Sequence, residues 1–362
     1  MSVYNRIPVV IPSYDPDEKL CAAVAALQAA GFTDIILIDD GSRADTKQYF
    51  PPEGAGITLL RHPENRGKGA GLKTAFRYIL EHRPDAIGCV TADGDGQHRP
   101  ADVTACADEL IGHPDSIVLG VRDFSGPNVP ARSRAGNRFT CGVFRLLFGM
   151  RISDTQTGLR AFPKDSLAGL VTVRGDRYEY ETNMLLYMKQ AQIPFREVPI
   201  ETVYIDENAT SHFRPVRDSL RVYGMILAFA LSSMASFAVD LVLFLLFRYL
   251  IFPKTGLPMR FSYALSYAAA RLCSATVNYL INRTVVFRDR GSRHTAWRYA
   301  VMALCILAVS ATVGQAFARL IPPSLHYLET VLKLVLDALL FLCSFRLQHQ
   351  WVFQHDTKPK AP

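Results

Sequence analysis

Four long apolar segments follow residue 225 and limit what this chain can fold into. They run over about residues 226–251, 261–281, 299–321 and 327–345. Each reaches the length of roughly 20 residues that a helix needs to cross the hydrocarbon core of a bilayer. The sequence therefore predicts an all-α membrane domain of four transmembrane helices over residues 226–362.

The charge of the chain changes at the same place. Residues 1–225 hold 26 Lys and Arg against 28 Asp and Glu, whereas residues 226–362 hold 14 against 5. The basic surplus belongs to the apolar half, where Lys and Arg mark the cytoplasmic ends of spans and meet anionic headgroups. This distribution indicates membrane lipids as partners and argues against nucleic acid.

Basic residues between the apolar segments predict how the chain crosses the membrane. The link between the second and third segments carries Arg283, Arg288, Arg290, Arg293 and Arg298, whereas the link over 322–326 carries no Lys or Arg. Lys254 and Arg260, between the first and second segments, reduce this difference in basic residues between the links. The start of the chain lacks the pattern of a cleavable signal peptide. We expect an integral protein of the cell inner or plasma membrane, with the first domain and both termini in the cytoplasm.

Buried strands alternate with helices over the first 210 residues. A helix over 15–30 is predicted to begin with Asp15 as its N-cap and Pro16 at N1, and another is predicted over 67–81. Apolar runs typical of buried strands occur at 7–12, 34–38 and 57–60. This alternation predicts an α/β, Rossmann-like domain over 1–210 with a mostly parallel sheet. Ligands of such sheets bind beyond the carboxyl ends of the strands.

Acidic residues follow two of the apolar runs. Asp39 and Asp40 end the second run, and Asp93 and Asp95 follow residues 86–90. Two carboxylates two residues apart can hold one hard divalent cation, Mg²⁺ or Mn²⁺, where glycines let the backbone turn. The alternative is a solvated acidic turn. Four acids at two strand ends favour the cation site, because clustered negative charge costs stability without a cation.

Glycines and cations lie together at residues 65–71. Arg66 and Lys68 stand at the start of the predicted helix over 67–81, where free N–H groups and the helix dipole favour an anion. The glycine spacing fits neither the dinucleotide-binding pattern nor the P-loop, which argues against a dehydrogenase or a P-loop enzyme. The glycines could instead serve only close helix packing.

Five motifs occupy residues 10–14, 38–42, 65–69, 93–100 and 154–162. Taken together in this order, they resemble family 2 glycosyltransferases of the GT-A fold, and among them the polyprenyl-phosphate and dolichyl-phosphate sugar synthases. The resemblance covers roughly residues 6–225. In this family the metal-binding motif usually reads D-A-D-L-Q, whereas this chain has Gly94 and Gly96 in place of the Ala and Leu. We therefore expect a more flexible loop there.

The resemblance implies a set of site residues. The implied nucleotide-sugar contacts are Pro12, Tyr14, Asp39, Asp40, Lys68 and Asp93. The implied ligands of Mg²⁺ or Mn²⁺ are Asp93, Asp95 and Gln97. The predicted catalytic residues are Asp95, Asp154, Arg122 and Arg134. Asp154 is interpreted as orienting acceptor or metal rather than as a base, because a phosphate acceptor is already ionised near neutral pH.

Basic and apolar residues alternate over 130–139 and 144–148 at helical spacing. Such a helix can lie at a membrane interface with Arg towards phosphate and Phe and Leu towards acyl chains. An ordinary surface helix with a solvated basic face is the alternative. The segment 211–225 is predicted to be a juxtamembrane amphipathic entry to the first span.

The membrane half contains a weak internal repeat, because residues 282–289 echo residues 348–355. This half resembles the GtrA-like four-span family, whose proposed role is to move or present polyprenyl-linked sugars. Charges inside spans are costly and are usually paired or functional. Asp240 with Arg271 is predicted to pair between helices, and Lys333 with Asp337 within one helix.

The residues and the resemblance together predict an inverting, metal-dependent transfer of a hexose from a nucleotide diphosphate sugar to polyprenyl phosphate, with UDP-glucose preferred as donor. The alternatives are a flippase or scaffold for lipid-linked sugars and a GDP-mannose-using synthase. A processive polysaccharide synthase is disfavoured because no Q-x-x-R-W-type motif precedes the first apolar segment. The sequence leaves open whether the chain forms a homo-oligomer.

Overall fold

The computed structural model describes residues 3–126, 129–201, 224–251, 259–287, 293–320 and 326–353. Its contacts divide the chain into two units, Met1–Val222 and Tyr223–Pro362, and each is described by itself. Residues 211–223 of the predicted juxtamembrane segment lie outside the described residues.

Seven strands form one sheet in the first unit, in the order β3-β2-β1-β4-β6-β5-β7. All neighbouring pairs are parallel except those of β6, which runs antiparallel to both β4 and β5. The mostly parallel α/β sheet predicted from the sequence is thus confirmed. The strands are β1 Val9–Ser13, β2 Ile35–Asp39, β3 Ile57–Arg61, β4 Gly88–Thr91, β5 Ile117–Arg122, β6 Arg160–Pro163 and β7 Phe195–Ile200.

Six α-helices accompany the sheet over residues 3–126 and 129–201. Leu20, Val24 and Leu27 of the first helix are buried in a core cluster with strand residues, as their helical spacing requires. A π-helical turn at Phe144–Phe148 continues the fourth helix. The helices are α1 Glu18–Ala29, α2 Lys68–His82, α3 Pro100–Gly112, α4 Ala131–Val143, α5 Lys164–Thr172 and α6 Glu179–Gln190.

Helix α1 begins later than the sequence predicts. Its N-cap is Asp17, whose carboxylate accepts a 2.9 Å hydrogen bond from the backbone N–H of Lys19. Asp15 instead accepts from the backbone N–H of Arg43 at 2.9 Å and from the Thr46 hydroxyl at 3.0 Å. The assignment of Asp15 as the N-cap was therefore wrong, because a loop 28 residues away binds this carboxylate.

The second unit is helical over the described residues. Four helices lie where the sequence predicts four spans, and three of them end in a π-helical turn. By length and composition, Leu227–Ile251 is the one candidate membrane span within the described part of the chain, and His294–Val309 is a shorter apolar helix. The helices are α7 Gly224–Leu246, α8 Met259–Ile281, α9 Arg293–Leu320 and α10 His326–Leu347, and the turns are Phe247–Ile251, Asn282–Val286 and Gln348–Val352.

The described residues of the two copies of the sequence repeat, 282–287 and 348–353, have the same local structure and contact each other. In each π-helical turn a phenylalanine N–H donates to the first residue, Phe287 to Asn282 and Phe353 to Gln348, both at 2.8 Å. The Asn282 amide donates to Gln348 Oε1 at 2.9 Å. The rings of Phe287 and Phe353 stack with centroids 4.8 Å apart. Corresponding residues of the repeat are therefore in contact.

Three polar pairs join α7 to α8 and to the π-helical turn that follows α8, and they form what we call the polar ladder. Residues four apart on a helix share a face, so each pair lies one turn from the next. The predicted ion pair between Asp240 of α7 and Arg271 of α8 is also formed, because Arg271 Nη1 lies 3.7 Å from Asp240 Oδ2. The side chains of Lys333 and Asp337 lie outside the description. The pairs are Ser232 with Asn282 at 2.5 Å, Ser236 with Asn278 at 3.0 Å, and Asp240 with Ser274 at 2.9 Å.

Substitution of Asn282 by alanine tests whether the polar ladder stabilises the second unit. Asn282 is fully buried, and its loss leaves Ser232, Asn278 and Gln348 without one partner each. We expect the variant to lose about 1 to 2 kcal/mol in unfolding from detergent micelles. Thr284→Ala is the matched control, because this exposed hydroxyl, among the described residues, bonds only the carbonyl of Leu280 one turn earlier. Equal stability of the two variants contradicts the role of Asn282.

Candidate active site

Two acids, Asp93 and Asp95, follow β4 in a turn that is stabilised by hydrogen bonds from its own backbone N–H groups. The N–H of Gln97 donates to Asp95 Oδ1 at 3.0 Å, and the N–H of Asp93 donates to His98 Nδ1 at 3.1 Å. Burial and the charge of Asp93 raise the pKa of Asp95. The two carboxylates thus repel each other in a partly buried loop, as in a site that binds a cation.

Lys68 links this loop to α6. Its Nζ lies 2.6 Å from Asp93 Oδ1 and 2.8 Å from Glu181 Oε1. Burial opposes the charge of Lys68, but the two carboxylates outweigh burial and raise its pKa. Burial likewise opposes ionisation of Asp93, and the neighbouring cations, Lys68 foremost, lower its pKa to about 2. Lys68 and Asp93 are therefore both charged near neutral pH.

The loop before β6 lies against the same acid. A Cβ at Gly158 would lie 2.4 Å from Asp93 Oδ2 and 2.9 Å from Lys68 Nζ, so a larger residue there would displace these two side chains. The Thr91 hydroxyl at the end of β4 donates to the carbonyl of Gly158 at 2.9 Å. The predicted cation loop and the segment 154–162 thus meet at one edge of the sheet.

Asp154 binds Arg122 rather than standing free. Arg122 Nε and Nη2 donate to the two carboxylate oxygens at 2.7 and 3.2 Å, and the backbone N–H of Gln156 donates at 2.9 Å. Asp154 is fully buried. A carboxylate held in this way fixes the guanidinium of Arg122 and is shielded from solvent.

Arg160 at the start of β6 joins two parts of the site. Its Nε donates to the carbonyl of Thr157 at 3.0 Å, and its Nη1 donates to the carbonyl of Glu181 at 2.7 Å. Burial lowers the pKa of Arg160. Nη2 is buried and has no hydrogen-bond partner in the described structure. Arg160 therefore fixes both the loop before β6 and the first turn of α6.

Asp40 provides the anion at the start of α2. Its carboxylate accepts from the N–H groups of Arg66 at 3.0 Å and Gly67 at 2.7 Å, and it lies 2.7 Å from His62 Nδ1. Asp39 accepts from the N–H of Ser42 at 2.8 Å. Asp40 thus also has a role in the fold itself, since an internal carboxylate meets the helix N-terminus.

The glycines at the start of α2 have a packing reason as well. Gly67 has a φ of +104°, and a Cβ there would lie 2.4 Å from the carbonyl oxygen of Asp176. A Cβ at Gly69 would lie 2.5 Å from Cβ of Tyr180. The alternative in which these glycines serve close packing therefore has direct structural support.

The other predicted residues lie apart from this cluster or at its margin. Pro12 is in β1, in register with Ile38, and Tyr14 follows the strand at the same sheet edge. Arg134 of α4 donates to the carbonyls of Phe124, Gly126 and Val129 at 3.0, 2.9 and 3.5 Å. The structure thus places Arg134 as a support of the loop after β5.

Comparison with known proteins accounts for both units. Glycosyl transferase family 2 matches residues 9–169, and the GtrA/DPMS transmembrane domain matches residues 228–353. An uncharacterized protein of Methanocaldococcus jannaschii is 30% identical over 206 residues, which cover 56% of this chain and 83% of that protein. The chain belongs to glycosyl transferase family 2. It is a membrane-associated glycosyltransferase with a GtrA-like domain.

Two further relatives of this glycosyltransferase carry functional names. A UDP-N-acetylglucosamine–dolichyl-phosphate N-acetylglucosaminyltransferase of Methanococcus voltae is 29% identical over 220 residues, 55% of this chain and 86% of that protein. An undecaprenyl-phosphate mannosyltransferase of Micrococcus luteus is 25% identical over 211 residues, 55% of this chain and 84% of that protein. The two names give different sugars, but both include a polyisoprenoid phosphate.

The acids after β4 suit a hard divalent cation. Asp93 and Asp95 provide carboxylate oxygens, the donors that Mg²⁺ and Mn²⁺ prefer. Over the described ranges, no group of three or more His, Cys, Asp or Glu side chains is arranged to hold a metal ion. Two carboxylates suffice where substrate phosphates and water complete the coordination of such a cation. The residues of this glycosyltransferase therefore fit a metal that binds together with its donor.

Sequence reasoning missed three side chains of the cluster. The motifs at 93–100 and 154–162 contain His98 and Arg160 without assigning them a role, and Glu181 lies outside all five motifs. Spacing could not indicate Glu181, because its partner Lys68 lies in another helix. For Arg160, the one available signal was a charged residue at the first position of a short apolar run.

The close fit of Gly94 can be tested by stability. A Cβ at Gly94 would lie 2.5 Å from Ser13 Oγ, so we expect Gly94→Ala to cost about 1 to 3 kcal/mol of unfolding free energy. Ser13→Gly in the same chain should restore part of this loss. Gly112→Ala is the control, because nothing lies within 4 Å of a Cβ there. If Gly94→Ala unfolds like wild type, flexibility rather than packing explains this glycine.

Proposed function

We propose that this glycosyltransferase transfers a hexose, with inversion, from a nucleotide diphosphate sugar to polyprenyl phosphate on the cytoplasmic membrane face. The observation that carries the proposal is the meeting of two charged groups of residues at one sheet edge. Asp93, Lys68 and Glu181 form one group, and Arg122 with Asp154 forms the other. The first suits the donor and the second an anionic acceptor, in a chain that also carries a GtrA-like domain.

At the donor end, the proposed metal ligands are Asp93, Asp95 and Gln97. Mg²⁺ or Mn²⁺ held there would neutralise the charge that develops on the leaving diphosphate. Lys68 holds Asp93 in place through a 2.6 Å contact, and Glu181 holds Lys68. We infer that Pro12, Tyr14 and Asp39 border the nucleoside. Asp40 supports them indirectly, because its carboxylate is occupied by the start of α2.

At the acceptor end, Arg122 is proposed to bind the lipid phosphate. An oxygen of that phosphate forms a bond to the anomeric carbon while the bond from that carbon to the diphosphate breaks, and the leaving group keeps the electron pair. The attacking oxygen is already ionised near neutral pH and needs no base. Asp154 is therefore proposed as a positioning residue, since it is buried and binds Arg122 through both oxygens.

The lipid acceptor is further supported by α4 and by the second unit. Phe139 is 64% exposed and Leu146 is 53% exposed, on a segment that also carries exposed arginines. Such a surface suits the interface of a membrane. We propose that all four helices α7 to α10 span the bilayer, with the catalytic unit and both termini in the cytoplasm. Arg134 then supports the loop that leads into this interface helix.

UDP-glucose is the donor to be tested first and GDP-mannose second. Relatives named for N-acetylglucosamine and for mannose lie at similar identity, so the sugar is a matter for experiment. A screen of nucleotide sugars with polyprenyl phosphate, read by the mass of the lipid product, decides it. One sugar per lipid is expected. A longer product contradicts a single transfer, and no product from any donor favours a scaffold or flippase.

Asp95→Asn tests the assignment of the metal ligand. It removes a carboxylate from the proposed cation site, and we expect transfer to fall at least 100-fold, with the apparent affinity for Mn²⁺ also reduced. Asp45→Asn is the matched control, because Asp45 is an exposed acid at the same end of the first unit that only pairs with Arg43 at 3.9 Å. Retained activity of a folded Asp95→Asn protein removes Asp95 from the proposed site.

The pairing of Arg122 with Asp154 can be tested by a double-mutant cycle. If Asp154 acts through Arg122, then Arg122→Gln and Asp154→Asn should each lower kcat/KM by about 100-fold, and the double variant should lose little more. Arg122→Lys should recover part of the activity. Independent, additive losses contradict the positioning role of Asp154.

A further inference from the structure

Asp15 has a backbone conformation that residues with a side chain rarely adopt. Its φ is +48°, in the left-handed region. Among the described residues, Ala55 and Gln192 are the other non-glycine residues with a positive φ, and both lie in exposed turns. Asp15 instead follows β1 at the edge of the sheet where the strand-end acids lie, and its side chain is only 11% exposed. A strained residue at a ligand-binding edge calls for an explanation.

Hydrogen bonds to one loop hold Asp15 in this conformation. Its backbone N–H donates to Ser42 Oγ at 3.0 Å. Its carboxylate accepts from the backbone N–H of Arg43 at 2.9 Å, from Arg43 Nε at 3.0 Å and from the Thr46 hydroxyl at 3.0 Å. A glycine would adopt the same φ without strain but would lack the carboxylate. The three partners belong to the loop after β2, and together with Asp15 they form what we call the loop clamp.

The loop clamp is connected to two residues that are proposed to border the nucleoside. Tyr14 precedes Asp15 in the same loop, so the conformation of Asp15 fixes the direction of the chain next to Tyr14. Ser42, which accepts from Asp15, donates its own backbone N–H to Asp39 Oδ1 at 2.8 Å. Asp39 is in register with Ser13 of β1. One set of contacts therefore joins Tyr14 and Asp39.

Helix α1 and the pairing of β1 with β2 are stabilised by contacts that do not involve Asp15. Asp17 caps the helix. The two strands pair in register over their whole length, and beyond them the N–H of Asp40 donates to the carbonyl of Ser13 at 3.0 Å. The loop clamp adds a different constraint, because it fixes the loop after β1 against the loop after β2, past the ends of both strands.

We propose that Asp15 is a positioning residue for the nucleotide, and that it holds Tyr14 and Asp39 in the arrangement that binds the nucleoside. This inference rests on the proposed function, in which both residues border that group. Asp15 acts through its neighbours, because both of its carboxylate oxygens are bound by the loop after β2. Loops that are held together before a ligand arrives lose less conformational entropy on binding, so the loop clamp increases the affinity for the nucleotide.

Nucleotide binding to the full-length protein in micelles, measured by calorimetry with UDP and with GDP in the presence of Mg²⁺, tests this role. Asp15→Gly permits the positive φ and removes every contact of the carboxylate, and we expect it to weaken binding of the preferred nucleotide about 10-fold. Asp15→Asn keeps an oxygen that accepts hydrogen bonds but lacks the charge that pairs with Arg43, so its loss should be intermediate. If Asp15→Gly binds the nucleotide like wild type, the backbone conformation alone is sufficient and the proposal is overturned.

Asp34→Asn is the matched control for the loss of an ion pair. Asp34 precedes β2 at the opposite edge of the sheet, its side chain is 14% exposed, and Arg83 binds both of its carboxylate oxygens at 2.6 and 3.1 Å. We expect this variant to unfold at a lower temperature, as Asp15→Asn does, and to bind the nucleotide with wild-type affinity. An equal loss of nucleotide affinity in both variants attributes the effect to stability and overturns the proposal.

Steady-state kinetics give a second readout that general destabilisation would not move. In Asp15→Gly we expect the KM for the donor to rise about 10-fold and kcat to stay within about 2-fold, because contacts to the nucleoside are the same in the ground state and the transition state. A fall in kcat with an unchanged donor KM overturns the proposal. Wild-type protein that binds neither nucleotide contradicts the proposed function and this inference with it. Nucleotide binding without transfer contradicts only the proposed reaction, and the binding of the variants still decides the role of Asp15.

Discussion

Strand β6 runs against both of its neighbours, and the candidate active site depends on that reversal. Its first residue, Arg160, pairs with Thr91, the last residue of β4. The loop that enters β6 therefore arrives at the carboxyl end of β4, where Asp93 follows. In an all-parallel sheet the same loop would lie at the opposite edge. Gly158 completes the approach, because it allows the loop backbone to contact Asp93 and Lys68.

The sequence predicts the strands and the edge at which ligands bind, and it does so through local patterns. Apolar runs ended by acids identify β2 directly, and the alternation of strands with helices predicts the parallel sheet. Contacts between distant segments are not encoded in such patterns. The partner of Lys68 is Glu181, the partner of Asp15 is Arg43, and Asp40 is bound by the first residues of α2. Each of these pairings follows from tertiary packing.

The second unit shows the same division between local pattern and packing. Periodic apolar segments predict the four helices, and the echo of residues 282–289 in 348–355 predicts a repeat. The sequence does not show that Asn282 would bond Gln348, its own counterpart, or that Phe287 would stack on Phe353. Such self-contact between copies is typical of an arrangement close to two-fold symmetry. A substitution in one copy therefore also changes the surroundings of the other.

The ion pairs of the first unit have a consequence for how a substrate enters. Lys68 is paired with two carboxylates, Arg122 with one, and the start of α2 with Asp40. An incoming anion therefore has to exchange with an internal carboxylate rather than fill an uncompensated positive field. Simple anions such as chloride or inorganic phosphate gain little from that exchange. A ligand that brings its own cation and makes several contacts at once gains more, so ion pairing of this kind favours such a ligand over a free anion.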